Sequence, residues 1–170
     1  MSVELLALTV RSPHVLEAVQ VYHEYAEGEL SAQEHFFRSH MRRPGYAGLL
    51  AKVDDKIVGL AFGSTSMPGQ WWHERVASQV GHEHPALQDA WVLTQLNVLR
   101  AYRNRKIGAT LHDALIAKQR HMRLLLSTQV SNRGAQRFYQ QHGWQCLHAG
   151  FKFSASDEPY QIWHKTLSTP

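Results

Sequence analysis

The sequence predicts an α/β protein with a single mixed, mostly antiparallel sheet and flanking helices. Two strand-like apolar runs, residues 90–99 and 122–130, lie on either side of a helical pattern at 106–119. A strand–helix–strand order of this kind favours two strands of one sheet covered by a helix. A hairpin-like pair of strands precedes this unit and another pair follows it, and such pairs are antiparallel.

The first 64 residues are expected to supply a strand, two helices and a hairpin. Residues 3–11 read as the strand. Ser12 is a candidate N-cap for a helix to about residue 26. Ser31 with Glu34 has the spacing of a capping box for a second helix to about residue 42. Asp54-Asp55 joins two β-like runs as a tight turn. The runs on either side of that turn are 46–53 and 56–64.

The rest of the chain alternates between helical and strand-like patterns. Residues 65–87 are irregular apart from a short helix at 71–80. Gly143 ends the last helix. The elements predicted after the irregular part are a strand at 90–99, a helix at 106–119, a strand at 122–130, a helix at 132–141, and strands at 144–153 and 160–167.

Length and composition favour one domain over residues 1–170, since 170 residues with 44% hydrophobic content suit one globular core. The single cysteine, Cys146, excludes a disulfide scaffold and a thiolate zinc site, and it is expected to be buried. His82-Glu83-His84 lacks metalloprotease spacing, so no metal is expected. No apolar run approaches the ~20 residues of a membrane span, and the N-terminus lacks a basic leader. We therefore expect a cytoplasmic protein without a membrane partner.

Charge is concentrated in one stretch. Residues 100–137 hold nine Lys or Arg and one acid, Asp113, whereas the rest of the chain is net acidic. A local positive field of this kind suits a ligand with several phosphates, either a small molecule or a nucleic acid. A solvated basic face is the alternative.

The most informative stretch is residues 96–111, where a strand leads through a basic turn into a helix. Backbone N–H groups at a helix N-terminus are unpaired and bind phosphate. Gly108 in the first turn lets a ligand approach closely. The spacing matches neither a P-loop nor a dinucleotide fingerprint. The turn therefore indicates a phosphate site of another kind, or a basic helix cap.

Two stretches have residues at the spacing of known motifs. Arg103, Ile107 and Gly108 match the pattern Q/R-x-x-G-x-G/A, with Lys106 in place of its first Gly. A second pattern, N-x-x-A-x-x-F-Y-x-x-x-G-[FW], is matched throughout by Asn132, Ala135, Phe138, Tyr139, Gly143 and Trp144. Together these motifs resemble those of the GNAT family of acyl-CoA-dependent N-acyltransferases.

The resemblance implies a GNAT-like fold, acetyl-CoA as cosubstrate and a role for each matching position. Leu96 and Val98 would pair with pantetheine, with the Val98 N–H facing the thioester carbonyl. Tyr139 would reach the sulfur as general acid or hydrogen-bond donor. The expected pyrophosphate ligands are Arg103, Asn104, Arg105, Lys106, Ile107, Gly108 and Ala109. Those expected along the pantetheine path are Asn132, Ala135 and Phe138.

The acceptor side is less defined. Many relatives place a Glu on the strand before the first motif, but this chain has Gln95, which can orient a water and cannot act as a base. The general base is therefore open between a water chain to solvent and nearby acids or histidines, namely Asp89, Glu83, His82, His84 and His73. Glu24, Trp71 and Trp72 are candidates for contacting the acceptor; a solvated acid and two core aromatics are the alternatives. We expect acetyl transfer to a primary amine of a small molecule by direct attack in a ternary complex.

Two other functions remain open on the sequence. The chain could be a protein N-terminal or lysine acetyltransferase, or a non-catalytic acyl-CoA-binding regulatory module on the same fold. A nucleic-acid partner is not expected, because the phosphates of CoA explain the basic stretch with fewer assumptions. Homodimers are common among similar proteins, but no residue here specifies an interface.

Overall fold

The structure is a computed structural model that describes residues 1–168. The strands are β1 (Glu4–Ala7), β2 (Ala47–Val53), β3 (Lys56–Thr65), β4 (Ala90–Val98), β5 (Arg123–Gln129), β6 (Gln145–Phe151) and β7 (Tyr160–Thr166). The helices are α1 (Val15–His23), α2 (Leu30–His40), α3 (Trp71–Val80), α4 (Ile107–Ile116) and α5 (Arg133–Gln141). Two short 3-10 turns, Pro85–Leu87 and Arg100–Tyr102, were not predicted.

The strands form one seven-stranded sheet in the order β1-β2-β3-β4-β5-β7-β6. The pairs β1–β2, β2–β3, β5–β7 and β6–β7 are antiparallel. Strands β4 and β5 are parallel, with Ala90–Val92 opposite Arg123–Leu125. The predicted mixed, mostly antiparallel sheet is therefore confirmed.

The predicted helix caps near the N-terminus are wrong. Helix α1 begins at Val15, because the Ser12 hydroxyl accepts the His14 N–H at 3.3 Å and closes a local turn before the helix. Helix α2 begins at Leu30, which places Ser31 inside it. The predicted capping box does not form, and Glu34 pairs instead with Arg38 at 2.8 Å.

The chain divides into two compact units, the first made of Met1–Ser64 and Leu93–Gln119. Apolar residues of α1 and α2, with Phe37 among them, pack with Leu60 and Phe62 of β3. Side chains alternate between the two faces of a strand. Gly59 therefore faces the other side of the sheet, towards Ile107 and Leu111 of α4. The helices of this unit cover both faces of its strands.

The second unit holds Thr65–Val92 and the chain from Arg120 onward. Val76 and Ala77 of α3 pack with Phe151, Phe153 and Ile162 in a core of their own. The expectation of a buried cysteine is wrong: Cys146 is exposed on β6. Within residues 1–168, no helix combines the length and the apolar character that a bilayer crossing requires.

Candidate functional site

The end of β4 presents backbone groups on the side away from β3. The Leu99 N–H donates to the Val58 carbonyl at 2.8 Å, so it points towards β3. Backbone N–H and C=O groups alternate in direction along a strand, so those of Leu96 and Val98 point the other way. Residues 94–98 all keep some exposed surface, whereas residues 57–64 of β3 are buried. The two residues expected to pair with pantetheine therefore have the required orientation.

The basic turn leads into α4 through two residues with left-handed backbone, Asn104 with φ 60° and Lys106 with φ 63°. Lys106 is the N-cap of α4 and makes no side-chain cap. The first hydrogen bond of the helix runs from the Thr110 N–H to the Lys106 carbonyl, at 2.9 Å. The N–H groups of Ile107, Gly108 and Ala109 come before that bond and have no intrahelical acceptor. These are the groups that would receive a phosphate.

The left-handed φ at Lys106 accounts for the glycine that the family pattern has at this position. Glycine adopts this conformation at no steric cost, whereas a side chain with a Cβ is strained there. The lysine itself adopts the left-handed conformation and places an exposed cation beside the helix N-terminus. The departure therefore puts a strained residue with a positive charge where glycine would be unstrained.

Gly59 sets how closely α4 approaches the sheet. A Cβ at this position would lie 3.0 Å from Leu111 Cδ1, 3.2 Å from the Asn97 carbonyl oxygen and 3.4 Å from Ile107 Cγ2. Those neighbours belong to the first turns of α4 and the end of β4. The missing side chain thus lets the helix N-terminus and the β4 terminus pack together within the first unit.

Four cations of the first unit lie over two tyrosine rings. The guanidinium groups of Arg100 and Arg103 are 5.3 and 4.9 Å from the ring centre of Tyr25. Arg105 and Lys56 lie 5.2 and 5.7 Å from the ring centre of Tyr102. The sequence indicated the arginines but neither Tyr25 nor Lys56, because both are distant in the chain from the basic turn.

The acceptor candidates of the first unit have different surroundings. The Glu24 carboxylate accepts the Arg100 backbone N–H at 2.9 Å, and its carbonyl accepts from the Arg100 guanidinium at 3.1 Å. Glu24 thus already ties α1 to the basic turn. Gln95 is partly buried. Asn97, which the sequence reasoning missed, buries a side-chain oxygen that has no partner among residues 1–168.

The second unit carries the other motif on α5. Asn132 caps this helix, and its side-chain oxygen accepts the Ala135 N–H at 3.0 Å. The Tyr139 ring packs against Phe138 and Trp144 at centroid distances of 5.3 and 5.7 Å. Burial of the phenol raises the pKa of Tyr139 well above its ordinary value. Tyr139 is therefore held neutral and is a weak acid.

The two tryptophans of α3 differ in exposure. The Trp71 side chain is 63% exposed. Trp72 is half-buried, and its indole N–H donates to the Ser127 hydroxyl at 3.2 Å. Their rings lie 5.5 and 6.4 Å from that of Phe153. Trp72 thus anchors α3, and Trp71 is the one of the two that a ligand could contact.

A mixed sheet whose β4 leads through a basic turn to the N-terminus of a helix defines an α/β class of protein with a backbone arrangement that can accept a phosphate. Similarity to known proteins identifies the family within this class. The sequence model described as "Acetyltransferase (GNAT) family" matches residues 12–144. The chain belongs to this family, whose cosubstrate is acetyl-CoA.

Similar proteins agree with this assignment. A GCN5-like protein acetyltransferase of Mycobacterium tuberculosis is 29% identical over 121 residues, which cover 65% of this chain and 59% of that protein. Ard1 from Thermoplasma volcanium has a TM-score of 0.73 at 15% identity, with 99% of this chain and 100% of that chain covered. A GNAT acetyltransferase from Bacillus cereus has a TM-score of 0.72 at 13% identity, with 99% and 100% covered. The structural likenesses establish the fold.

Proposed function

We propose that the protein is an N-acetyltransferase that transfers the acetyl group of acetyl-CoA to a primary amine of a small molecule, with direct attack in a ternary complex. One observation in the first unit carries this proposal. The backbone N–H and C=O of Val98, at the end of β4, point away from β3, and the first N–H groups of α4 have no intrahelical acceptor. A similar structure, the PaiA N-acetyltransferase of Thermoplasma acidophilum, is in complex with coenzyme A. Its TM-score is 0.65 at 15% identity, with 98% of this chain and 100% of that chain covered.

The residues present fit acetyl-CoA by charge and by backbone donors. The N–H groups from Asn104 to Ala109 would bind the pyrophosphate, with the exposed cations of the turn beside them. The Arg103 N–H already donates to the Arg100 carbonyl at 3.3 Å, so Arg103 would contribute its guanidinium instead. Leu96 and Val98 would pair with the pantetheine amides. On the second unit Ala135 and Phe138 would line the pantetheine path. Asn132 would contribute indirectly by capping α5, because its side-chain oxygen already accepts the Ala135 N–H.

The reaction forms an N–C bond and breaks a C–S bond. The lone pair of the neutral amine attacks the thioester carbonyl, negative charge develops on its oxygen, and the electron pair then leaves with sulfur. A preorganised backbone donor such as the Val98 N–H stabilises that oxygen by about 3–4 kcal/mol. The amide nitrogen gives up one proton, and the thiolate gains one.

Tyr139 is proposed as the hydrogen-bond donor to the leaving thiolate. A thiol has a pKa of about 8.5 and a free tyrosine about 10. Because burial raises the pKa of Tyr139 further, complete proton transfer to the thiolate is more unfavourable than between free groups. A neutral phenol can still stabilise the thiolate by donating a hydrogen bond, and solvent then supplies the proton.

In this proposal the amine loses its proton through a water chain to solvent, because the amides of Gln95 and Asn97 cannot act as a base and the Glu24 carboxylate already accepts the Arg100 N–H. The orphaned Asn97 oxygen lies on β4 next to Val98 and can accept an N–H of the incoming amine. An unpaired buried acceptor is unfavourable, and an amine N–H would relieve that penalty. The Glu24 carboxylate and the exposed Trp71 are the other acceptor contacts that we propose.

A protein acceptor is the second candidate, and one observation favours it. The 29%-identical relative from Mycobacterium tuberculosis is named a protein acetyltransferase. The present chain spans 59% of the length of that relative. A lysine side chain and a small-molecule amine place the same reacting group before the thioester, so the acceptor has to be established by assay.

The test combines calorimetry with a thiol-release assay. Acetyl-CoA and CoA are titrated into the protein, and thiol release is then followed with small primary amines and with peptides bearing a free N-terminus or lysine. We expect binding together with release for one class of amine. Binding without release on any acceptor would favour the regulatory module, and absence of binding would overturn the phosphate site on α4.

Tyr139→Phe tests the catalytic assignment. We expect turnover to fall roughly 10²–10⁴-fold, because the phenolic donor to sulfur is lost. Binding of CoA should change little, since the ring packing against Phe138 and Trp144 is kept. Tyr102→Phe is the matched control, and it should retain wild-type turnover. Unchanged turnover in Tyr139→Phe would remove this residue from the mechanism.

A further inference from the structure

Tyr25 lies outside both sequence motifs, two residues after α1, and its side chain contacts two parts of the first unit. Its hydroxyl donates to the carbonyl oxygen of Val98. Its ring lies against the guanidinium groups of Arg100 and Arg103, 5.3 and 4.9 Å from the ring centre. One partly buried side chain thus joins the end of β4 to the basic turn.

We propose that Tyr25 is a positioning residue for acetyl transfer with two separable roles. Its hydroxyl fixes the peptide group at the end of β4, and its ring holds Arg100 and Arg103 in place for the phosphates of acetyl-CoA. This inference rests on the proposed function, because it gives Tyr25 its effect through Val98 and through the phosphate-binding turn.

The hydroxyl role follows from the two ends of a single peptide group. The Val98 carbonyl accepts from Tyr25, and the N–H of the same peptide, which belongs to Leu99, donates to the Val58 carbonyl at 2.8 Å. The plane of this peptide is therefore held from both sides. The preceding peptide carries the Val98 N–H, and its direction depends on the dihedral angles between the two planes. Fixing one plane restricts the other.

A hydroxyl donor leaves the carbonyl able to bind a ligand. A carbonyl oxygen has two lone pairs, and Tyr25 uses one of them. The remaining lone pair can accept an N–H from pantetheine on the side away from β3. Tyr25 and the cosubstrate therefore do not compete for the Val98 oxygen.

The ring role follows from how arginine stacks. A guanidinium group over an aromatic ring keeps the N–H groups at its edge free for phosphate oxygens. Glu24 adds to the restraint, because its carboxylate and its carbonyl both bind Arg100. Side chains ordered before binding lose less conformational entropy when a phosphate binds. The short segment Glu24-Tyr25 thus preorganises the exposed cations.

Two substitutions separate the roles. Tyr25→Phe keeps the ring and removes the hydroxyl, whereas Tyr25→Leu removes both. We expect Tyr25→Phe to lower kcat about tenfold to a hundredfold, with the calorimetric Kd for CoA within about twofold of wild type. Tyr25→Leu should show the same loss of kcat and also raise the Kd about fivefold.

Tyr102→Phe is the control, since Tyr102 is also stacked by two cations but its hydroxyl has no hydrogen-bond partner among the described residues. It should leave both readouts unchanged. Wild-type kcat in Tyr25→Phe would overturn the hydroxyl role, and that variant is expected to fold because the ring packing is retained. An equal Kd in Tyr25→Phe and Tyr25→Leu would overturn the ring role. If wild-type protein neither binds CoA nor releases thiol, the proposed function fails instead.

Discussion

Replacing Gly59 by alanine tests whether the close packing of α4 on the sheet sets the phosphate site. The added Cβ would meet Leu111 Cδ1 at 3.0 Å, the Asn97 carbonyl oxygen at 3.2 Å and Ile107 Cγ2 at 3.4 Å. Real Cβ contacts seldom come this close, so these neighbours have to move by a few tenths of an ångström. The leucine can rotate, whereas the Asn97 oxygen is part of the strand backbone.

The expected loss of stability follows from these contacts. Adding a methyl group to a well-packed interior usually destabilises by about 1–3 kcal/mol. Alanine also restricts the unfolded chain more than glycine, which offsets about 0.4–1 kcal/mol of this. We therefore expect a net loss of about 1–2 kcal/mol. For a chain of this size, that lowers the Tm by roughly 2–8 °C. Movement of Ile107 away from the sheet should also displace the first N–H groups of α4 and raise the Kd for CoA.

Gly134→Ala is the matched control for thermal unfolding. Gly134 lies inside α5, and its added Cβ would have only the Asn132 side-chain oxygen nearby, at 3.8 Å. The same chemical change should stabilise there by about 0.5–1 kcal/mol, because alanine favours a helix more than glycine. Both variants are compared by thermal unfolding, and Gly59→Ala also by CoA calorimetry. A Tm for Gly59→Ala at or above that of wild type would refute the packing argument.

Two further predictions concern backbone strain and pH. Lys106→Gly should raise the free energy of unfolding by about 1 kcal/mol, because glycine adopts the left-handed φ of 63° without strain. Lys106→Ala also removes the cation but keeps the strain. An equal Tm in the two variants would therefore refute the strain argument. Burial lowers the pKa of His40 from its ordinary 6.5. As the pH falls, His40 is therefore protonated at a higher pH in the unfolded chain than in the folded protein. The stability due to neutral His40 is present above about pH 6.5 and is lost as pH falls through the folded-state pKa. The Tm should drop between pH 7 and 5, and it should drop by less in His40→Gln. An equal dependence of Tm on pH in the two proteins would show that His40 does not cause the drop.

Local patterns predicted the elements well because each depends on neighbours in the chain. The helix predicted at 71–80 has those bounds in the structure. Asp54 and Asp55 both have positive φ, 48° and 61°, as a tight hairpin turn requires. The cap at Asn132 also forms. Periodicity and turn chemistry act over a few residues, and these positions are governed by them.

The contacts that shape the site come from distant parts of the chain, and no local pattern reports them. Glu24 and Arg100 are 76 positions apart. Tyr25 reaches Val98 across 73 positions. The sequence reasoning treated Glu24 as a solvated acid or an acceptor contact, and it passed over Tyr25 entirely. Both roles arise from the packing of the segment after α1 beside the end of β4.

The lysine at position 106 shows what the first motif requires physically. The turn needs a left-handed residue before α4 so that the first N–H groups of the helix come together, and glycine is the residue that adopts this conformation without strain. Lys106 adopts it at φ 63° and accepts a penalty of about 1–2 kcal/mol. A cation beside a phosphate can return energy of this size when the ligand is bound. Lysine in place of glycine at this position therefore destabilises the free protein and stabilises its complex with the phosphate ligand. We expect Lys106→Gly to stabilise the free chain and to weaken its binding of CoA.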